Sequence, residues 1–159
     1  MHAKILIGLL AILATSSSFN TAGIDPVSAQ VTKTIAFQDK VDQANFTGHF
    51  EIVLVPSYSD KVIVEGEQSI VEQVETAFRN GKLSVYDNRF DKRKAVRIYV
   101  AAKELSQLFV YGQGSVTSEG KLISSLSKML LDGEIEVKVN ATCKLNVTAG
   151  YDYDLVPGK

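Results

Sequence analysis

A chain of 159 residues with 17 Lys and Arg against 18 Asp and Glu carries a formal charge of −1, which removes any bulk attraction to nucleic acid or anionic membrane. Its single cysteine rules out an intramolecular disulfide framework and a cysteine-built metal site. No apolar run approaches the ~20 residues a spanning helix needs, so no transmembrane segment is expected.

The weakly basic start Met1-His2-Ala3-Lys4 precedes ten uncharged, nearly all apolar residues, 5–14. That length suits the central region of a secretory signal peptide. Val27-Ser28-Ala29 supplies small residues for cleavage after Ala29, and an earlier site after Ala22 competes with it. The expectation is a leader over residues 1–29 and one domain over residues 30–159. The protein would be exported, to the periplasm or the cell surface. No cysteine lies near either cleavage site, so lipid attachment there is not expected. Asn45-Phe46-Thr47, Asn140-Ala141-Thr142 and Asn146-Val147-Thr148 match the glycosylation acceptor pattern. They read equally as outward strand and turn residues, and a bacterial envelope is the favoured setting.

From residue 31 onward the pattern is one of strands. Val31, Ile35 and Phe37 alternate loosely, and Phe50, Ile52 and Leu54 mark a stronger strand over residues 46–55. Pro56 and Ser57-Tyr58-Ser59-Asp60 end it as a turn. Residues 61–65 make a further strand, which Gly66 is expected to break. A helical turn over residues 67–72 leads to a hairpin with arms at 73–79 and 82–86. Asn80-Gly81 forms its tip, because both residues tolerate the positive φ of a type I′ turn. Residues 87–94 then read as a charged, solvated loop that protects a sheet edge. A phosphate or acidic-glycan patch is the competing reading of the same charges. Val96, Ile98 and Val100 resume the alternation.

Two segments repeat. Leu108-Phe109-Val110-Tyr111-Gly112-Gln113-Gly114-Ser115-Val116 resembles Met129-Leu130-Leu131-Asp132-Gly133-Glu134-Ile135-Glu136-Val137 at a spacing of 21 residues. A looser third copy begins at Leu145, 16 residues on. Each copy reads as strand, glycine-marked corner, strand. Strict alternation from Ile135 to Val147 suggests two strands with a bend. Ile135, Val137, Val139, Cys143, Leu145 and Val147 would point inward; Lys138, Asn140, Lys144 and Asn146 would point outward. These patterns predict an all-β, single-domain β-solenoid, right-handed and β-helix-like, with a hairpin excursion.

The units Thr47-Gly48-His49-Phe50-Glu51-Ile52-Val53-Leu54, Lys61-Val62-Ile63-Val64-Glu65-Gly66, Gly81-Lys82-Leu83-Ser84-Val85 and Leu105-Ser106-Gln107-Leu108-Phe109-Val110-Tyr111-Gly112-Gln113-Gly114 resemble the head GIN domain family of putative auto-transporter adhesins, common in Bacteroidetes envelopes. The resemblance covers essentially residues 35–159. It implies a β-helix-like fold and an adhesin-like role without an assigned biochemical activity. The chain departs from the family's Gly-Ser-Gly corners, showing Gly112-Gln113-Gly114, Asp132-Gly133-Glu134 and Ala149-Gly150-Tyr151 instead. It also ends where longer relatives add a rung. No set of lipid-facing strands with aromatic girdles is legible, so a self-sufficient autotransporter is not expected.

Catalytic chemistry finds few candidates. Outside the expected leader the chain has one histidine, His49, inside a strand and read as a strand residue rather than a base. No glycine-rich loop opens a helix. No cofactor and no metal site is expected. Asp152 and Asp154 would share one strand face and could form a carboxylate pair, the basis of an alternative reading as a carbohydrate-active enzyme. The favoured reading is a non-enzymatic binding module for an envelope glycan or protein partner. Its ligand surface is placed at Tyr111, Tyr151 and Tyr153, near equivalent corners.

Overall fold

A computed structural model describes residues 29–57, 60–89, 93–142 and 144–150. They hold nine strands and one short helix. In chain order these are β1 (Gln30–Ala36), β2 (Gln43–Val55), β3 (Lys61–Glu67), α1 (Gln68–Val71), β4 (Val74–Arg79), β5 (Lys82–Asp87), β6 (Val96–Ala101), β7 (Gln107–Ser118), β8 (Lys128–Lys138) and β9 (Asn146–Ala149). All nine strands join one mixed sheet that does not close on itself, with the order β1-β3-β6-β2-β7-β8-β9 and β5-β4 branching from β2. The fold is all-β, as the alternation requires.

β2 organises the sheet. Along one side it pairs in parallel with β7 over its whole shared length, Gln43↔Gln107 to Leu54↔Ser118. Along the other side it has two partners in succession. Residues 43–47 pair with β5 and residues 50–55 with β6. Gly48 lies between the two, at φ 141°. Gly112 of β7 and Gly133 of β8 stand in register with it, at φ 125° and 127°. A strand residue at such an angle leaves the ordinary extended range, and the strand changes direction there. The sheet thereby divides into two wings. The first contains β4, β5, β9 and the opening halves of β2, β7 and β8. The second contains β1, β3, β6 and the closing halves of the same three strands.

These glycines cannot be replaced by larger residues without moving backbone. A β-carbon on Gly112 would stand 2.2 Å from the Gly48 carbonyl oxygen, and one on Gly133 would stand 1.9 Å from that of Gly112. At this place β7 rests its Cα on the carbonyl of β2, and β8 rests its Cα on the carbonyl of β7.

Inward side chains of both wings share one core. Phe46, Phe50, Ile52, Leu54, Leu83, Ile98, Leu108, Met129 and Leu131 are fully buried in it. Phe46 and Phe50, on either side of Gly48, meet edge to face at 5.8 Å. The connections join in: Leu105, Leu122 and Leu126 are also fully buried, and Leu122 bridges Ala141 in parallel. A column of backbone bonds marks where each rung begins. Ser106 N–H donates to the Asp42 carbonyl at 2.8 Å, Ser127 N–H to Ser106 at 3.0 Å, and Asn146 N–H to Ser127 at 3.0 Å. Phe37, just past β1, stacks on Phe78 of β4 at 4.7 Å, so the segment after β1 reaches the first wing.

Several expectations hold in detail. The 21-residue repeat is the β7–β8 register: Leu108 pairs Met129, Gly112 pairs Gly133 and Val116 pairs Val137. Asn80 and Gly81 both have positive φ, 51° and 75°, at the tip of the β4–β5 hairpin. Ile135 and Val137 are buried, Val139, Leu145 and Val147 are half-buried, and Lys138, Asn140, Lys144 and Asn146 are exposed. Cys143 lies outside the described residues.

Others need correction. Gly66 does not break its strand; β3 runs through it, opposite Val31 of β1. Gly66 lies against Val71 of α1, whose methyl would stand 3.4 Å from an added β-carbon, an ordinary contact. The third copy sits at a spacing of 18 residues, Met129↔Val147, rather than 16. The glycine positions are turns inside continuous strands, not gaps between separate ones. β2, in register with β7 from Gln43 to Leu54, is the first of the series.

Candidate functional site

The outward face of the first wing is built from three cross-strand rows. Each follows from strand register and a period of two. The rim row runs Arg79, Lys82, Gln43, Gln107, Lys128, Asn146. The middle row runs Ala77, Ser84, Asn45, Phe109, Leu130, Thr148. The row beside the glycines runs Glu75, Tyr86, Thr47, Tyr111, Asp132. The opposite faces of these strands fill the core, so the rows must point to solvent.

Tyr86 and Tyr111 are 40% and 37% exposed. They flank Thr47 on neighbouring strands, two strand spacings or roughly 9.5 Å apart. Phe109 and Leu130 sit side by side in the middle row, both half-buried. The Lys128 ammonium lies 5.4 Å from the Phe109 ring centroid, a cation–π contact. Gln43 Nε2 donates to Asn45 Oδ1 at 3.1 Å. Arg79, Lys82 and Lys128 form no ion pair among the described residues.

The second wing presents a different outward face. Arg97 of β6 donates to Glu51 Oε2 of β2 from Nε at 3.1 Å and from Nη2 at 2.8 Å. The Tyr99 hydroxyl donates to Glu65 Oε2 of β3 at 2.9 Å. Lys94 pairs with Glu67. The hydrogen bond to Glu51 raises the Arg97 pKa, and the bond to Glu65 raises that of Tyr99. Two shallow depressions of about 400 and 350 Å³ border this network.

Between the wings lies a buried ion pair. Asp87 and Arg89, at 3% and 7% exposure, close β5 beside Gly48. Asp87 Oδ1 accepts from Arg89 Nε at 2.7 Å and Oδ2 from Nη2 at 2.8 Å. The backbone N–H of Arg89 also donates to this carboxylate, at 3.2 Å, and that of His49 does so at 3.4 Å. Arg89 Nη2 further donates to the Lys94 carbonyl at 2.8 Å. Burial alone would raise the carboxyl pKa; the charge-assisted bonds from Arg89 and the two backbone donors outweigh it, and the net shift is downward. The expectation of a solvated loop over residues 87–94 is therefore corrected at Asp87 and Arg89; Asn88, Arg93 and Lys94 are exposed, and residues 90–92 lie outside the described residues. Asp87 occupies the rung next to Gly48, where its Cβ takes the space a Gly48 side chain would need. The carboxylate is thus carried inside and requires a cation.

Of the tyrosines expected at a ligand surface, Tyr111 stands on the first wing's outward face. Tyr151 and Tyr153 lie outside the described residues, as do Asp152 and Asp154. Sequence reasoning missed Tyr86, Phe109, Leu130 and the cationic rim. The alternation of Leu83 and Val85 in β5 was the signal that turns Tyr86 outward. His49 is half-buried on the outward side of β2. Among the described residues no three His, Cys, Asp or Glu side chains gather as a metal site, and no helix is long and apolar enough to cross a membrane.

Residues 42–151 match the family described as "Putative auto-transporter adhesin, head GIN domain". Among solved structures the chain is similar to a putative adhesin from Bacteroides fragilis, at 20% identity and a TM-score of 0.64, with 82% of this chain and 63% of that one covered. It is also similar to a putative lipid binding protein from Parabacteroides distasonis, at 17% identity and a TM-score of 0.52, with 82% and 61% covered. The chain thus spans about three fifths of the length of either protein, 63% and 61%. At these identities the likeness is one of fold. No curated protein matches the chain.

Proposed function

We propose, from the premise that this chain belongs to the putative auto-transporter adhesin, head GIN domain family, that it is a non-enzymatic binding module of the bacterial envelope. The first wing's outward face would be its binding surface. One observation carries this reading. Tyr86 and Tyr111 stand exposed on a regular sheet face beside Phe109 and Leu130, whereas the charged groups of the second wing already hold one another. Large rings held rigid by a sheet contribute contact area at low entropic cost. The adhesin name of the family and of the Bacteroides fragilis protein supports binding rather than turnover.

Two finer readings accompany it. Parallel stacking of β2, β7, β8 and β9, with connections that also stack through Leu122 and Ala141, supports a solenoid in which rungs add along one axis. The apolar run over residues 5–14 supports export, with residues 1–29 as a leader and 30–159 as the mature domain.

The test is retention of envelope components. Immobilised protein, washed with solubilised envelope fractions of a Bacteroides species, should retain material that Tyr86→Ala with Tyr111→Ala releases. Arg97→Ala, on the other wing, should retain it. Equal retention by all three proteins would remove the first wing from the reading. Should the purified protein cleave a glycan, with the activity lost in Asp152→Asn with Asp154→Asn, the enzyme replaces the binding module.

A further inference from the structure

We propose that the ligand of this face is an extended acidic polysaccharide, a chain of pyranose rings carrying carboxylates, lying across the strands on the middle row. The proposal rests on the binding-module reading and adds the chemistry of its ligand.

Charge complementarity carries it. The rim row places Arg79, Lys82 and Lys128 on one line of the face, in register across β4, β5 and β8. None has a carboxylate partner among the described residues. In a near-neutral protein, three cations in one row with no acid between them form a local field that the net charge hides. Asp42, which is close to Gly81 at this rim, accepts from the Ser106 hydroxyl at 2.7 Å and keeps its charge, so the rim sets three cations against one carboxylate. An anionic substituent arriving at the rim meets cations and the amides of Gln43 and Gln107.

The other two rows say what sort of anion. The middle row offers flat apolar surface at Phe109 and Leu130 and small polar groups at Ser84, Asn45 and Thr148. Pyranose rings present C–H faces to the first and hydroxyl edges to the second. The third row sets Tyr86 and Tyr111 two strand spacings apart, roughly 9.5 Å. That is close to the repeat of an extended disaccharide, so alternate sugars meet equivalent tyrosines. The track crosses six strands and is about 24 Å long, enough for several sugar units.

The same row separates a glycan from a nucleic acid. Single strands also combine stacking with cationic tracks. Here Glu75 pairs across from Tyr86, and Asp132 pairs with Tyr111. A base stacked on either tyrosine brings its phosphate towards a carboxylate, which costs energy. A sugar hydroxyl donates to that carboxylate instead. The face is anion-seeking along the rim and donor-seeking along the tyrosines, as a uronic acid chain requires.

Binding of polygalacturonate, neutral dextran and an oligothymidylate to the purified protein should be measured by calorimetry. Polygalacturonate should bind, more weakly as salt rises from about 50 to about 300 mM. Tyr86→Ala and Tyr111→Ala should each weaken it about tenfold. Arg79→Glu with Lys82→Glu and Lys128→Glu should abolish it, with the thermal midpoint kept because all three side chains are exposed. Dextran bound as well as polygalacturonate overturns the acidic class, and tighter binding of oligothymidylate overturns the glycan. Failure of all three ligands, with envelope material still retained through Tyr86 and Tyr111, overturns the ligand class and leaves the binding module standing. Failure of retention as well overturns both.

Discussion

The two wings are made by the same strands, yet their outward faces differ in kind. β2 contributes Asn45 and Thr47 to one and Glu51 and Val53 to the other; β7 contributes Phe109 and Tyr111, then Ser115 and Thr117. On the second wing Arg97 bonds Glu51 and Tyr99 bonds Glu65, so much of its polar capacity is spent within the protein. On the first wing the rings and rim cations face outward without such partners. Alternation alone predicts two solvated faces. What distinguishes them is whether oppositely charged residues fall opposite one another in register, and on the second wing they do.

The sharpest way to break the contrast is to remove the turn that separates the wings. Gly133→Ala puts a β-carbon 1.9 Å from the Gly112 carbonyl oxygen at φ 127°. The rung must move away, and an L-residue must hold a conformation reserved for glycine. About 4 kcal/mol of stability should be lost, read as a fall in the urea midpoint. A midpoint within error of the parent would show that the turn is not held by backbone contact.

Next comes the buried pair at the junction. Arg89→Ala strands the Asp87 carboxylate in the core and should cost about 3 kcal/mol at neutral pH. The sign with pH follows from the downward shift of Asp87. The pair's contribution is present above the unfolded carboxyl pKa, about 3.9. It is lost as pH falls through the lower folded value. Parent and variant should therefore converge in stability below about pH 4. A difference constant from pH 7 to pH 3 would mean that Arg89 acts through packing alone.

The smallest effect on stability compares the faces directly. Arg97→Ala removes an exposed ion pair and should cost less than about 1 kcal/mol. Tyr111→Ala, on the other wing, should cost about as little, because its ring is exposed. The two variants then diverge only in binding, where Tyr111→Ala alone loses envelope material. Parallel losses of binding would dissolve the distinction between the wings.

Much of this arrangement is written locally. The 21-residue repeat becomes the β7–β8 register because parallel rungs of like sequence bury like faces. Asn80-Gly81 makes its turn because few other pairs tolerate two positive φ values. The membership of β2 was hidden by the 64-residue separation of Ala44 from its partner Leu108, an interval that holds β3, β4, β5 and β6. The common spacing was nevertheless present: Ala44, Phe46, Gly48 and Ile52 match Leu108, Val110, Gly112 and Val116. The third copy was misplaced by two residues because Leu145 and Val147 are both apolar and share a phase, so periodicity cannot choose between them. The burial of Asp87 and Arg89 was not legible at all. It depends on which strand lies beside Gly48, a long-range fact that loop composition does not contain. The outward place of Tyr111 is legible from its corner glycine, whereas its neighbour Tyr86 sits on a hairpin whose proximity to β7 only the β2 pairings create.

The glycine contacts also set a rule for growth. A rung whose Cα rests on the carbonyl before it needs from its neighbour only a bare backbone at that place, and it offers the same to the next. Copying residues 107–127 in tandem behind β7 would repeat the same glycine contact. It would widen the sheet by one strand spacing, about 4.8 Å, and set a second Gln, Phe and Tyr beside the first on the outward face. On the proposed binding reading, reach along a ligand becomes a quantity counted in parallel strands.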